Sequence, residues 1–256
     1  MHSHKNFIIA NWKMSLDVEQ SVNLLKAVKN KISGKDAVHT VVCPSYTALL
    51  PVSEILKGTS IELGAQDCFW EERGAYTGEI SPADLVKIGC KYVILGHSER
   101  RKYLGETNEM IHKKVRVAYQ NGLTPVLCIG ENWDERSSGK KDFTLIKQVT
   151  ESLEGITMDS SRHLIMAYEP AWAISTSEGI EPEPEEIQYA NEVIRHILID
   201  LYSKDFVEKN VRIVYGGSVK GNNVESFLEL PSVRGFLVGG AAQKVEPFLE
   251  LVEAIS

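Results

Sequence analysis

Short runs of contiguous apolar, mostly β-branched residues alternate along this chain with longer stretches in which apolar positions return every three or four residues. The runs lie at residues 7–10 (FIIA), 40–43 (TVVC), 61–65 (IELGA), 92–95 (YVIL), 125–129 (PVLCI), 164–167 (LIMA), 212–215 (RIVY) and 235–238 (GFLV). Their length and composition predict strands. Between them, Val18, Val22, Leu25, Val28 and Ile32 step by four, three, three and four, and Ile187, Ala190, Ile194, Ile197 and Leu201 by three, four, three and four. Both spacings predict helices with one apolar face. Strands apolar throughout, separated by such helices, predict a parallel sheet covered by helices, because parallel neighbours are joined by helical crossovers.

No proline- or glycine-rich linker divides the chain, and no repeat stronger than the strand–helix rhythm appears, so residues 1–256 are expected to form one domain. Eight strands suit a closed (β/α)8 barrel, although periodicity alone equally allows an open, doubly wound sheet. Glycine placement favours the barrel. An open dinucleotide-binding sheet would usually carry GxGxxG after its first strand, whereas residues 7–10 run into Asn11-Trp12-Lys13. The glycine pairs come late, as Gly216-Gly217 and Gly239-Gly240, after the last two strand candidates. Barrels often hold phosphate there.

Composition narrows the class. The 256 residues include 28 Lys plus Arg and 35 Asp plus Glu, a formal charge of −7, with 43% hydrophobic and 25% charged residues. These values are those of an ordinary globular chain rather than a disordered or disulfide-scaffold one. An acidic balance without a basic run argues against a nucleic-acid surface. No apolar stretch is long enough to span a bilayer, and residues 1–5 (MHSHK) lack the apolar segment of a signal peptide, so a non-membrane, cytoplasmic protein is expected. Cys43, Cys68, Cys90 and Cys128 are widely spaced, as expected of buried thiols in a reducing compartment.

If all strands are parallel, polar residues just past their carboxyl ends converge on one mouth. They are Asn11 and Lys13 after the first strand, His97, Ser98 and Glu99 after the fourth, and Glu169 after the sixth. A lysine there can attract an anion and polarise an oxygen, or can simply be a solvated surface charge. A lone histidine is as readily structural as catalytic. A carboxylate at the end of a buried strand is costly unless paired or useful, and an apolar setting would raise its pKa toward that of a working base. Glycine pairs allow backbone N–H groups to approach a phosphate closely, or form nothing more than tight turns. His39, His112, His163 and His196 have no comparable setting. Metal binding is not expected, since HExxH, a Cys/His cluster and a regular carboxylate loop are all missing from the sequence. Together Glu169, His97, Lys13 and the glycines suit proton abstraction beside a carbonyl in a small phosphorylated substrate, and also other barrel chemistry on phosphorylated metabolites.

The motifs NWKM (residues 11–14), GHSERR (96–101), AYEPAWAI (167–174), YGGSV (215–219) and GFLVGGAA (235–242) stand in an order that resembles the triosephosphate isomerase family over essentially the whole chain. CIGE (128–131) and GAQDCFWEERGAYTGEISP (64–82), which looks like that family's dimer loop, add to the likeness. The resemblance implies a single-domain TIM barrel that interconverts dihydroxyacetone phosphate and glyceraldehyde 3-phosphate through an enediolate, without cofactor or metal, in glycolysis and gluconeogenesis. It implies that Glu169 moves the proton between carbons, that a neutral His97 polarises and protonates the oxygens, and that Lys13 and Asn11 stabilise negative charge. Further implied are phosphate contacts from N–H groups of Ser175, Ser218, Gly239 and Gly240. Ser98 would position the base, Glu99 would pair with Lys13, and Ile174 and Leu237 would clamp the glutamate and raise its basicity. Tyr215 would be a supporting residue, and Thr77 would reach the site of a second copy in a homodimer.

Departures from the family pattern concentrate after the sixth strand. Where AIGTGK is usual, this chain has Ala173-Ile174-Ser175-Thr176-Ser177-Glu178, with serine in place of both glycines. Altered lid closure is the expected consequence. Arg234 stands where aspartate is common, and Ala242-Gln243 where Ser-Leu is common. Two competing readings are another phosphate-binding barrel enzyme such as an aldolase, and a degenerate barrel that only binds a phosphorylated metabolite.

Overall fold

The computed structural model describes residues 6–35, 37–174 and 181–256. Eight strands are present: β1 (Asn6–Asn11), β2 (Val38–Cys43), β3 (Glu62–Ala65), β4 (Cys90–Leu95), β5 (Thr124–Ile129), β6 (Leu164–Tyr168), β7 (Val211–Tyr215) and β8 (Gly235–Val238). Each lies within two residues of a predicted run. They pair in sequence order, all parallel, and β8 returns to β1 to close the barrel, with Phe7 opposite Gly235 and Ala10 opposite Val238. The open doubly wound alternative is thereby excluded.

Both strand faces are buried, which is why the strands read as unbroken apolar runs rather than alternating ones. Ile9, Val41, Cys43, Ile94, Val126, Cys128, Ile165, Ala167, Val214 and Leu237 form the barrel interior. Their neighbours Ile8, Ala10, Val42, Leu95, Leu127, Met166, Tyr215 and Phe236 belong to the separate layer between barrel and helices. This period-2 alternation carries on past the strand ends. On β1 the inward series from Ile9 reaches Asn11, and on β6 the series Ile165, Ala167 reaches Glu169.

Helices follow the strands around the outside, among them Val18–Ile32, Asn108–Gln120, Lys141–Leu153 and Pro184–Leu201. The first starts at a capping box, with Gln20 N–H donating to Asp17 Oδ1 at 2.8 Å and Asp17 N–H to Gln20 Oε1 at 3.0 Å. Its buried stripe is Ser21, Leu24, Leu25, Val28 and Ile32, while Val18 is exposed. On Pro184–Leu201 the stripe is Ile187, Ala190, Asn191, Ile194 and Leu198, and Ile197 and Leu201 are only half-buried. The expected helices form, but their stripes follow the 3.6-residue period more closely than the apolar letters do.

Two short elements matter for the site. The helix Ser98–Leu104 begins directly after β4, with His97 as its N-cap, and a 3-10 turn, Gly240–Gln243, follows β8. Among the described residues, no helix is long and apolar enough to cross a membrane. All four cysteines are buried and unpaired.

Candidate active site

At the carboxyl ends of the strands, the barrel brings together Asn11, Lys13, His97, Ser98, Glu99 and Glu169. Glu169 is buried, as the inward continuation of β6 requires, and its own N–H is fixed to the Ile129 carbonyl at 2.7 Å. One carboxylate oxygen lies 2.9 Å from His97 Nε2, and the other accepts the Ser98 N–H at 3.1 Å. His97 is equally enclosed, and its Nδ1 accepts the Glu99 N–H at 3.3 Å. That bond assigns the lone pair to Nδ1 and the proton to Nε2, where it faces Glu169.

Lys13 is the one described non-glycine residue with positive φ, at 52°. Its N–H donates to Asn11 Oδ1 at 3.0 Å, while Gln66 Nε2 donates to its carbonyl at 2.7 Å and to that of Cys43 at 2.9 Å. A lysine held in this sparsely populated region needs such clamps to stay there. The ammonium pairs with Glu99 Oε1 at 2.6 Å, as the resemblance implied.

The electrostatics differ from one expectation. Burial alone would push the Glu169 carboxyl up, but the His97 imidazole, the Ser98 N–H and the Lys13 ammonium outweigh it and hold the carboxyl below its usual range. The raised basicity foreseen from apolar surroundings is therefore not a property of this arrangement. For His97, burial pushes the imidazole down, yet the carboxylates of Glu169 and Glu99 lift it above its ordinary value.

The two glycine pairs serve different ends. A side chain at Gly217 would collide with the Tyr215 hydroxyl, and one at Gly216 would stand 3.3 Å from Glu169 Cβ, so Gly217 makes room for the Tyr215 ring and Gly216 for the glutamate. Among the described residues the buried Tyr215 hydroxyl has no hydrogen-bond partner. The N–H of Ser218 donates to the Ala173 carbonyl at 3.1 Å and is thus engaged within the chain rather than turned to a ligand. Gly239 and Gly240 open the 3-10 turn Gly240–Gln243, which carries no side-chain cap, and Gly239 lies against the Lys13 side chain. Ser175, Ser177 and Glu178 lie outside the described residues. Ile174 is the last described residue before them and is buried, as is Leu237 on the barrel interior. Thr77 stands in an exposed stretch, residues 71–79.

Gln66, Gly130 and Glu131 were not singled out for roles from the sequence. Glu131 is fully buried and accepts from the Tyr168 hydroxyl at 3.2 Å and from Trp172 Nε1 at 2.9 Å, which anchors the segment after Glu169. Gln66 and Glu131 both lie just past a buried strand, the same signal that pointed to Glu169. Arg234 lies at the opposite end of the barrel, its carbonyl accepting the Phe7 N–H at 2.9 Å, and Gln243 Nε2 faces the Trp12 carbonyl at 3.3 Å.

The arrangement offers a buried carboxylate, an imidazole N–H, an ammonium and a glycine-lined turn around one space, a set suited to moving a proton beside a carbonyl in an anionic substrate. Comparison with known proteins agrees with this chemistry. The family profile for triosephosphate isomerase matches residues 6–255. The chain is 44% identical over 253 residues to a triosephosphate isomerase of Dictyoglomus thermophilum, covering 98% of this chain and 99% of the relative. It is 43% identical over 249 residues to that of Carboxydothermus hydrogenoformans, covering 97% and 98%, and 40% identical over 250 residues to that of Lactobacillus delbrueckii subsp. bulgaricus, covering 98% of each. A barrel closed in this order, a mouth furnished in this way and likeness along nearly the full length of several relatives establish that the chain belongs to the triosephosphate isomerase family.

Proposed function

We propose that the chain is a cofactor-independent aldose–ketose isomerase that interconverts dihydroxyacetone phosphate and D-glyceraldehyde 3-phosphate. The observation that carries this reading is the contact between His97 Nε2–H and the Glu169 carboxylate at the mouth of the barrel. Each group holds the place that a substrate carbonyl and its neighbouring C–H would take. A substrate entering between them accepts the imidazole N–H on its carbonyl oxygen and presents its C–H to the carboxylate.

The step then balances as follows. Glu169 takes the proton from the carbon next to the carbonyl, and the electron pair moves onto oxygen to give an enediolate. The negative charge is met by the His97 N–H, the Lys13 ammonium and Asn11. His97 passes a proton between the two oxygens, and Glu169 returns its proton to the neighbouring carbon. When Glu169 leaves His97, the strongest influence raising the imidazole's proton affinity goes with it. Burial, the Lys13 ammonium and the Glu99 N–H on Nδ1 remain and favour the neutral form, opposed by the Glu99 carboxylate. The same separation removes the group that chiefly holds Glu169 acidic, so its basicity rises when the substrate arrives. The phosphate is read as seated at the Gly239–Gly240 turn beside Lys13, with Ser218 and Ser175 completing it once Ser218 N–H exchanges its bond to Ala173.

We read the working form as a homodimer in the cytoplasm. Met14, next to the site's lysine, is 96% exposed, and residues 71–79, Thr77 included, are exposed throughout. The segment is nevertheless tied to its flanks by the pairing of Arg73 with Asp84, by the Ser81 hydroxyl on the Glu72 carbonyl at 2.8 Å, and by the Phe69–Tyr76 ring contact. A structured, projecting loop of this kind suits insertion into a second copy. The four unpaired thiols suit a reducing compartment.

A coupled assay with glyceraldehyde 3-phosphate, run beside Glu169→Asp, tests the reaction. Withdrawing the carboxylate by one methylene is expected to lower kcat by about 10²-fold or more with little change in KM. Absence of turnover in the folded, unsubstituted protein overturns the reading.

A further inference from the structure

The turn that carries Lys13 is clamped from three directions. Asn11 Oδ1 accepts the Lys13 N–H at 3.0 Å, Gln66 Nε2 donates to the Lys13 carbonyl at 2.7 Å, and Gln243 Nε2 donates to the Trp12 carbonyl at 3.3 Å. An amide oxygen at the last place would face another carbonyl oxygen, so the nitrogen is the atom that meets Trp12. Without it, the Trp12 carbonyl keeps, among the described residues, the Ser15 N–H at 3.3 Å. A leucine at this position would have no donor to offer.

Gln243 ends the same 3-10 turn that Gly240 begins. The backbone entering that turn runs against the lysine. A side-chain carbon at Gly239 would stand 3.2 Å from Lys13 Cε and 3.7 Å from Nζ. The reach of a flexible lysine is set by where its backbone starts, and here φ of 52° makes that start depend on its clamps.

We propose that Gln243 is a positioning residue that locks the Lys13 turn to the glycine turn and so sets the spacing between the ammonium and the phosphate seat. The proposal rests on the reading of those two groups given above. It concerns ligands that carry a phosphate and a second negative or developing charge, since only they touch both groups at once.

The test compares two probes on the full chain by calorimetry. Inorganic phosphate reports the phosphate seat without the second charge that would fix its distance from the ammonium. 2-Phosphoglycolate, whose carboxylate sits where the oxygens of an enediolate would be, reports turn and lysine together. Gln243→Leu and Gln243→Met, checked for folding by thermal unfolding, are expected to bind phosphoglycolate about 3- to 10-fold more weakly, as loss of one hydrogen bond implies, and phosphate within about twofold of the parent. kcat/KM is expected to fall by a similar factor. In a Lys13→Ala background the Gln243 substitutions are expected to have no further effect. Parallel weakening of both probes would show a turn that has merely collapsed and would overturn the proposal. So would unchanged phosphoglycolate affinity, or a loss that persists without Lys13. If the parent binds both probes but turns nothing over, the isomerase reading falls while the binding comparison still decides the role of Gln243.

Discussion

His97 Nε2 lies 2.9 Å from Glu169 Oε1, so the proton donor and the base come from two strands, β4 and β6, that both flank β5 and meet above it. Each is the other's chief electrostatic partner. The carboxylate raises the imidazole, and the imidazole lowers the carboxylate.

Glu169→Gln is therefore expected to lower the pKa of His97. With the carboxylate gone, burial acts on the imidazole with less opposition. In the parent, the raised imidazole contributes stability that is fully present below its ordinary value of 6.5 and is lost as pH rises through its folded value. In the variant, that contribution shrinks. Imidazole resonances followed against pH check this, and an unshifted His97 titration would count against the pairing.

Gly130 tolerates no side chain. A Cβ there would fall on the Glu169 carbonyl, with Pro170 N next to it at 3.0 Å. Gly130→Ala is expected to push the base out of register, costing about 10²-fold in kcat and about 1–3 kcal/mol of stability. Steady-state kinetics and denaturant melts would measure both, and parent-like kinetics in the variant would mean that β5 does not set the position of Glu169.

At the opposite end of the barrel, Glu62 pairs with His39 and Lys91 and accepts from the Tyr92 hydroxyl at 3.1 Å. Burial pushes its carboxyl up, but His39 and Lys91 outweigh this and bring it down to about 2. A depressed carboxylate contributes stability that is present above its ordinary value, here 4.5, and lost as pH falls toward 2. Glu62→Gln is expected to flatten the pH dependence of stability across that window. Urea midpoints at pH 5 and pH 3 would test it. Equal slopes in parent and variant would show that the cluster is not linked to folding.

If the exposed loop of residues 71–79 inserts into a second copy, Thr77→Arg is expected to yield monomers whose activity is at least about 10-fold lower. Sedimentation velocity read beside the assay decides this. A monomeric parent with full activity would rule out the dimer requirement.

Much of this architecture is determined by the chain's local pattern. Buried parallel strands must be apolar on both faces, and that necessity marks all eight of them. Polar residues directly past such strands have few places to go but the mouth, which makes Asn11, Lys13, His97 and Glu169 recognisable as a set. Contacts between those residues are another matter, because they depend on which strands lie side by side and on backbone angles that no periodicity encodes. The His97–Glu169 hydrogen bond joins positions 72 residues apart (169 − 97), and it reverses the direction in which burial alone would move the glutamate. The positive φ of Lys13, the engagement of Ser218 N–H by Ala173, and the meeting of Gln243 with Trp12 across 231 positions likewise exist only once the barrel has closed. Local sequence determines which groups can stand at the mouth, whereas closure of the barrel decides which of them touch, and electrostatic shifts depend on touching.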